Sequence, residues 1–477
     1  MGLGSLPREI LSLIIGLLID RASPSLDGCD NLQHICNARL VCRLWNTLAT
    51  AHVFETVRLA YTDGEYQSWN DMLASEVVRQ AVRCVYIRSA PADDHPLGIW
   101  DTYTDSGYEG LIGAIGRIAE LDRIIALHLR FSRHCGGVET DDHRDEVVED
   151  ISTRQEILES VFKAIHNRSR NKTGARPIRS LTVENLQNAP LPDFTSSELF
   201  RSVTKDIDSL HLMVAEEYDE AGPDWDTYRI ERQVFEPYLH HQWLAPMSDH
   251  LVCLTLSFQV GWGTIPGYFD GSGLHFPRLK TLNLGNFVIG HHNQFDWVLN
   301  QPSLVCLRLD RCSIVSHITT HQTNIEEWHV QTHDWHEYPI GSFGIDGPYV
   351  IYGFSGTWEA IFDNICTCLP NLKDFCFHYG QDPVFPVYPE MLSDRLTKQR
   401  YTTFDDSWNE AHEESGLLDF GDSEWGHPDK RYVNRSKETE MGDGRALDAL
   451  LQKIRERQHQ QTLMLNQDRD KNRRPVK

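Results

Sequence analysis

Leu251-Val252-Cys253-Leu254-Thr255-Leu256 and Leu304-Val305-Cys306-Leu307-Arg308-Leu309 are two nearly identical hexapeptides, and between them stands Leu279-Lys280-Thr281-Leu282-Asn283-Leu284. Each puts apolar residues at i, i+3 and i+5. The last two alternate along a short strand while the first closes the turn leading into it, so all three point into one core. The copies start 28 and 25 residues apart, and Ile325/Trp328/Val330 follows after a further 21. Upstream the pattern recurs at Ile178/Leu181/Val183 and Ile207/Leu210/Leu212, with weaker copies at Val82/Val85/Ile87, Ile124/Leu127/Leu129 and Leu372/Phe375/Phe377. Any α/β protein yields an isolated triplet; near-consecutive copies worded LVCLTL and LVCLRL indicate a repeat.

Between several of these triplets lie one-sided apolar stripes at helical spacing: Leu111, Ile115, Ile118; Ile157, Leu158, Val161, Phe162, Ile165; and Trp358, Ile361, Phe362, Ile365, Leu369. Strand and helix therefore alternate. Across roughly residues 75 to 380 the pattern resembles the leucine-rich repeat, whose units stack into a curved solenoid because none can bury its apolar face alone. The Asn of the regular repeat is missing from its place after Leu284 and Leu309, and several intervals exceed 40 residues. Irregular repeats with long insertions are expected, among them a flexible one around Trp262 carrying Gly261, Gly263, Gly267, Gly271 and Gly273.

Ahead of the repeats, Leu6-Pro7-Arg8-Glu9-Ile10-Leu11 opens a helix, with Pro in the first turn and Glu9 near its positive end. Leu6, Ile10, Leu13, Ile14 and Leu17 keep the 3.6-residue spacing of a core stripe, and Leu11, Ile15 and Leu18 carry apolar character further round. A second apolar face implies a second surface to bury. Asp30 with Gln33 suggests a capping box starting a second helix at Asn31. Leu40, Val41, Leu44, Trp45 and Leu48 would share one side of a third, and Phe54, Val57 and Leu59 a short strand.

Residues 5 to 58 resemble an F-box: the Leu-Pro-x-Glu-Ile-Leu opening, the Leu-Val-Cys-Arg-x-Trp-Asn helix and the aromatic at Phe54 fall in the family's order. The resemblance implies docking on the Skp-type adaptor of an SCF (cullin-RING) ubiquitin ligase, with the rest of the chain recognising a protein substrate. It places Leu6, Pro7, Ile10, Leu11, Ile14, Leu40, Val41, Cys42 and Trp45 at the adaptor, with Trp45 alternatively a core residue. The Asp20 to Asn31 link is longer than the family's usual one. The competing reading is a plain three-helix cap on a repeat scaffold with no ligase role.

The expected fold is thus α/β: an N-terminal three-helix F-box (1–58), an irregular leucine-rich-repeat-like solenoid (59–385), and an acidic, loop-rich, partly disordered tail with a short C-terminal helix (386–477). In that tail only Leu447, Leu450, Leu451 and Ile454 form a stripe, and 386–444 reads as mostly loop. In such a solenoid the residues between the buried ones face the concave surface, nominating Thr255, Thr281, Asn283, Arg308, Asp310, His329 and His378 for substrate contact, or merely for solvation.

With 45 basic against 69 acidic residues, the net charge of −24 has the wrong sign for a chain that neutralises phosphates or anionic lipid. Residues 1–58 are neutral, 404–444 sum to −8 and 445–477 to +5, which leaves −21 on 59–403. Nucleic acid and membrane are therefore not expected partners. The apolar run Ile10–Ile19 is half the ~20 residues a bilayer span needs. Eleven scattered cysteines read as reduced thiols in a cytoplasmic or nuclear protein, and Lys471, Arg473, Arg474 and Lys477 are either a nuclear address or a solvated end.

No GxxxxGK[ST], GxSxG or GxGxxG motif is present, and Cys366-x-Cys368 has no second pair, so no catalysis, cofactor or metal is expected. Cys84, Cys253 and Cys306 read as packing residues. The densest chemistry is histidine: His317, His321, His329, His333 and His336, with Asp334 and Glu337 among them. A hydrolase built there would require those side chains to converge in one pocket.

Overall fold

A computed structural model describes residues 6–19, 32–61, 63–90, 105–133, 135, 149–171, 174–216, 227–345, 347–378, 396–405, 408–410 and 435–472. The chain forms two compact units: 1–187 with 191–211, and 188–190 with 212–477.

The first unit begins with α1 (Arg8–Gly16), α2 (Gln33–Ala38) and α3 (Arg43–Val53). Helices α4 (Asp63–Ala74), α5 (Glu76–Ala81), α6 (Asp105–Gly116), α7 (Ile151–Asn171), α8 (Pro192–Thr195) and α9 (Glu198–Thr204) then alternate with strands β1 (Thr56–Ala60), β2 (Cys84–Arg88), β3 (Ala126–Arg130) and β4 (Ser180–Gln187). These strands pair in parallel without slippage: Val57, Val85, Leu127 and Leu181 lie side by side, as do Leu59, Ile87, Leu129 and Val183. The triplet residues of β2 to β4 are all buried, and so are the helical stripes of α6 and α7. Strand β5 (Ser209–Ala215) carries the boundary between the units.

The second unit holds α10 (Ile230–Tyr238), which runs through a π-helical segment (Leu239–Leu244) into α11 (Ala245–Met247), then α12 (Asp296–Leu299), α13 (Gln322–Glu327), α14 (Trp358–Cys368) and α15 (Ser436–Asn472). Strands β6 (Cys253–Trp262), β7 (Thr281–Ile289), β8 (Cys306–Asp310) and β12 (Asp374–His378) form a second parallel set, in register through the triplets, with a shift between β6 and β7 after Ser257. From the end of β7 the pairing passes to β9 (Ser313–His321), which takes β11 (Tyr349–Gly353) on one side and β13 (Tyr401–Asp405) on the other. The two-residue β10 (His336–Glu337) pairs with β11, and β14 (Trp408–Glu410) with β13. Among the described residues, the strand pairings of neither unit close into a barrel. No helix among the described residues is long and apolar enough to cross a membrane, and no disulfide joins the described cysteines.

One hydrogen-bond device recurs ahead of β2, β3, β4, β5, β7, β8 and β12. The carbonyl just after the first triplet residue accepts the N–H groups of the two equivalent residues in the next unit. Glu55, Arg83, Ile125 and Arg179 do this in the first unit and Val252, Lys280 and Val305 in the second, at 2.8 to 3.2 Å. Each entry turn is thereby tied to the next, which spares the buried turn unsatisfied backbone groups. A second device follows the strand: Asn185 and Asn286 sit seven residues after the first triplet residue, at positive φ. The Asn185 amide donates to Phe131 O (2.9 Å) and the Asn286 amide to Phe258 O (2.6 Å), each the equivalent position of the preceding strand. Two copies thus carry a cross-strand Asn at this position, whereas the copy beginning at Leu304 has Arg311 there, also at positive φ.

Several expectations are corrected. Ile325/Trp328/Val330 is no strand: His321 caps α13 there, and His329 lies at positive φ in the turn after it. The second helix starts at Gln33 after Leu32, with no side-chain cap; Asp30 and Asn31 lie outside the described residues. Leu40 and Val41 precede α3 instead of sharing its face. The segment around Trp262 is packed, not a flexible insertion, because Phe258, Trp262, Phe269, Phe287 and Trp297 stack into one buried aromatic cluster. Within 386–444, Tyr401–Asp405 is an interior strand, and the C-terminal helix is long, running 37 residues.

Candidate interaction surfaces

The head's core comprises Leu11, Ile15, Ile19, Ile35 and Ala49, with Leu18, Leu32, Leu44, Trp45, Leu48 and Val53 packed around them. Leu11, Ile15 and Ile19 recur every four residues, so they share one face of the first helical segment. At Gly16 a Cβ would stand 3.1 Å from the His52 ring, and that ring bonds Ser12 at 3.0 Å, so α1 and α3 approach closely on this side.

Leu6, Ile10, Leu13 and Leu17 recur at intervals of four, three and four residues, a continuous stripe on the opposite side of α1. Leu13 is 66% exposed and Leu17 84%, with Leu6 and Ile10 also open to solvent. The α2–α3 turn adds Leu40 (85%) and Val41 (63%), and Cys42 is exposed beside them. Monomeric domains rarely leave six large aliphatic side chains on one small head uncovered unless a partner buries them. Of the two apolar faces legible in the sequence, the one reading as the core stripe thus faces solvent, and the one extending it is the core.

Residues 3–58 match the family model described as F-box-like. The chain is an F-box domain-containing protein. No curated protein matches it.

Within the F-box, Leu6, Pro7, Ile10, Leu40, Val41 and Cys42 are exposed, Ile14 and Trp45 are half-buried, and Leu11 is only 1% exposed. Leu11 and Trp45 thus hold the domain together. Leu13 and Leu17, absent from the family-motif reading, carry much of the exposed stripe; their helical spacing from Ile10 was the available signal.

In the second unit, the row facing away from the buried triplets runs Thr255, Asn283, Arg308, Cys376. Thr255 is fully buried and receives the Asn283 amide at 2.9 Å, which removes it as a contact residue. Thr281 and Asn283 remain half-buried. Arg308 pairs with Asp374 (3.5 Å), and Asp310 with both His378 (3.2 Å) and Arg311 (3.4 Å). His329 is in a turn outside the row, so the placement expected for it on a strand does not hold.

The first unit carries an equivalent row that the sequence reading passed over: Arg58, Tyr86, His128, Thr182. The middle position of each triplet signals it. His128 bonds Glu184 at 2.9 Å, Arg130 lies 3.5 Å from the same carboxylate, and the Tyr86 ring meets the His128 ring edge-on. Burial, and then the charge of Glu184, push the Tyr86 hydroxyl above its usual range. His211 is pushed down to about 4 by burial and then by His128. Ion pairs lie on or beside both rows.

The histidine-rich segment disperses. His317 lies inside β9 against Tyr338 and Phe343, where burial pushes it down to about 4. His321 caps α13, while His329 and His336 face solvent. His333 and Asp334 instead meet His291, a residue from the distant turn after β7. The convergence that a hydrolase would require of the predicted cluster is absent among these residues.

Proposed function

We propose that this protein is the substrate-recognition subunit of an SCF-type ubiquitin ligase: the F-box (1–58) docks on the Skp-type adaptor, and through it on a cullin. The body (59–385) acts as an irregular leucine-rich-repeat-like solenoid that holds the target protein, followed by the C-terminal segment (386–477). The subunit does no chemistry and works by proximity, raising the local concentration of target lysines near the ubiquitin-loaded partner. The exposed stripe Leu6, Ile10, Leu13, Leu17 with Leu40 and Val41 carries this reading, because a cap serving only the protein's own body would bury it. The entry-turn carbonyls and the two Asn bridges support the solenoid. Thr281, Asn283, Arg308, Asp310 and His378, with Tyr86 and His128 of the first unit, are the proposed target-facing residues.

The deciding experiment is co-purification of the full chain with the adaptor, comparing wild type with Ile10→Asp/Leu17→Asp. Both positions are exposed, so the circular dichroism spectrum should be unchanged while adaptor capture falls at least tenfold. A wild-type chain that captures no adaptor would leave the scaffold with a helical cap as the better account.

A further inference from the structure

The turn after β7 and the turn before β10 lie far apart in sequence, yet they bring together two imidazoles and a carboxylate. One nitrogen each of His291 and His333 and one oxygen of Asp334 all lie within 4.8 Å of one another. His291 Nδ1 is 2.6 Å from Asp334 Oδ1, and His333 Nε2 is 4.0 Å from the same oxygen. Supporting contacts hold two of the three in place. The His292 N–H donates to Asp334 Oδ2 at 3.0 Å, leaving Oδ1 directed at the imidazoles. Trp335 stacks on the His291 ring, its centroid 5.0 Å away and its indole N–H donating to Gly290 O at 2.6 Å, while Tyr268 meets the same ring edge-on. His291 is almost completely buried, whereas the His333 side chain is 59% exposed.

We propose that His291, His333 and Asp334 form a zinc-binding site that clips these two turns together, with water as the fourth ligand. Two imidazoles and one carboxylate are a borderline-soft set that suits Zn2+ rather than Ca2+ or Mg2+. Donors about 2.0–2.1 Å from a tetrahedral ion stand roughly 3.3 Å apart. The His291–Asp334 pair therefore opens from 2.6 Å by about 0.7 Å, and the His333–Asp334 gap closes from 4.0 Å by about as much. The His291 and His333 rings are nearly parallel, at 11°. An ion cannot lie in both ring planes at once, so the exposed His333 turns about its side-chain bonds on binding while the buried His291 stays fixed. His291 moves its proton from Nδ1 to Nε2, so no net proton is released by that ring.

The test uses the full-length chain stripped with a chelator and titrated with Zn2+ by calorimetry, with Co2+ substitution read by visible absorption. Wild type should take up one ion with the intense absorption of a tetrahedral site and melt at a higher temperature with zinc than without. His333→Ala, which removes an exposed side chain and leaves the fold intact, should weaken binding at least tenfold and abolish the zinc-dependent rise in melting temperature. His329→Ala, an exposed histidine outside the site, should leave both unchanged. The proposal is overturned if wild type binds no zinc, or if His333→Ala and His329→Ala bind as wild type does, since uptake would then belong to scattered histidines among the 23 in the chain.

Discussion

Glu236 shows how one residue in this fold sets a pH dependence. It sits on α10 with one carboxylate oxygen accepting the Gly263 N–H at 3.1 Å and the other buried without a hydrogen-bond partner, beside the Arg232–Glu216 ion pair. Burial, reinforced by Glu216, pushes its carboxyl up to about 8, against the Gly263 N–H and the Arg232 charge, which favour the ionised form. The folded state then keeps a proton that the unfolded chain releases near its ordinary value of 4.5. A raised carboxyl pKa costs stability as pH climbs from about 4.5 to about 8, because the unfolded state alone gains from ionising. Glu236→Gln keeps the acceptor for Gly263 and removes the ionisation. Its stability relative to wild type should rise by roughly 2 kcal/mol between pH 6 and pH 8, at ~1.4 kcal/mol per pKa unit. Urea denaturation at the two pH values measures this; a gap that stays constant with pH would mean the carboxyl is ionised in the folded protein.

At the scale of an element, α1 has two apolar faces with different tasks, and substitution separates them. Leu11→Ala opens a cavity in the head's core and should cost about 2–5 kcal/mol, lowering adaptor capture only through unfolding. Leu17→Ala, at an 84% exposed position, should change stability by less than ~0.5 kcal/mol and weaken adaptor capture directly. Hydrogen exchange on α1 to α3 alongside a capture assay distinguishes the two; equal loss of protection in both variants would contradict the assigned faces. The sequence told that α1 has two faces and not which one meets the core, because periodicity fixes angles between residues and carries no reference direction. The same limit explains the failed triplet at Ile325, where i and i+3 also lie on one side of a helix and the His321 cap decided for α13. The other triplets were legible because parallel pairing buries all three positions at once. His291 escaped notice because only the fold brings it to Asp334, 43 residues away.

For the molecule as a whole, the part least legible in the sequence closes the second unit. The sequence shows α15 only as a short helix on Leu447, Leu450, Leu451 and Ile454, because its buried stripe of Ala446, Leu447, Leu450 and Ile454 occupies a small part of a helix that is polar over most of its 37 residues. Its anchors are polar as well. Asp443 accepts from Arg400 Nε at 2.8 Å and from the Tyr401 hydroxyl at 3.1 Å, both out of solvent, and from the half-buried Glu359 N–H at 2.9 Å. Arg457 donates to the carbonyls of Cys366, Leu369 and Leu372, at and just beyond the C-terminal end of α14. On the proposed solenoid reading such a closing element is needed, since the last unit would otherwise expose its apolar side. Ending the chain after Arg435 strips this cover, removes the Asp443 partner of Arg400 and opens the face that the stripe had buried. The truncated protein should lose hydrogen-exchange protection across α14, β12 and β8 and expose dye-binding apolar surface, while α1 to α3 keep theirs and adaptor capture persists. Unchanged protection in α14 after truncation would show that α15 rests on the repeats without closing them.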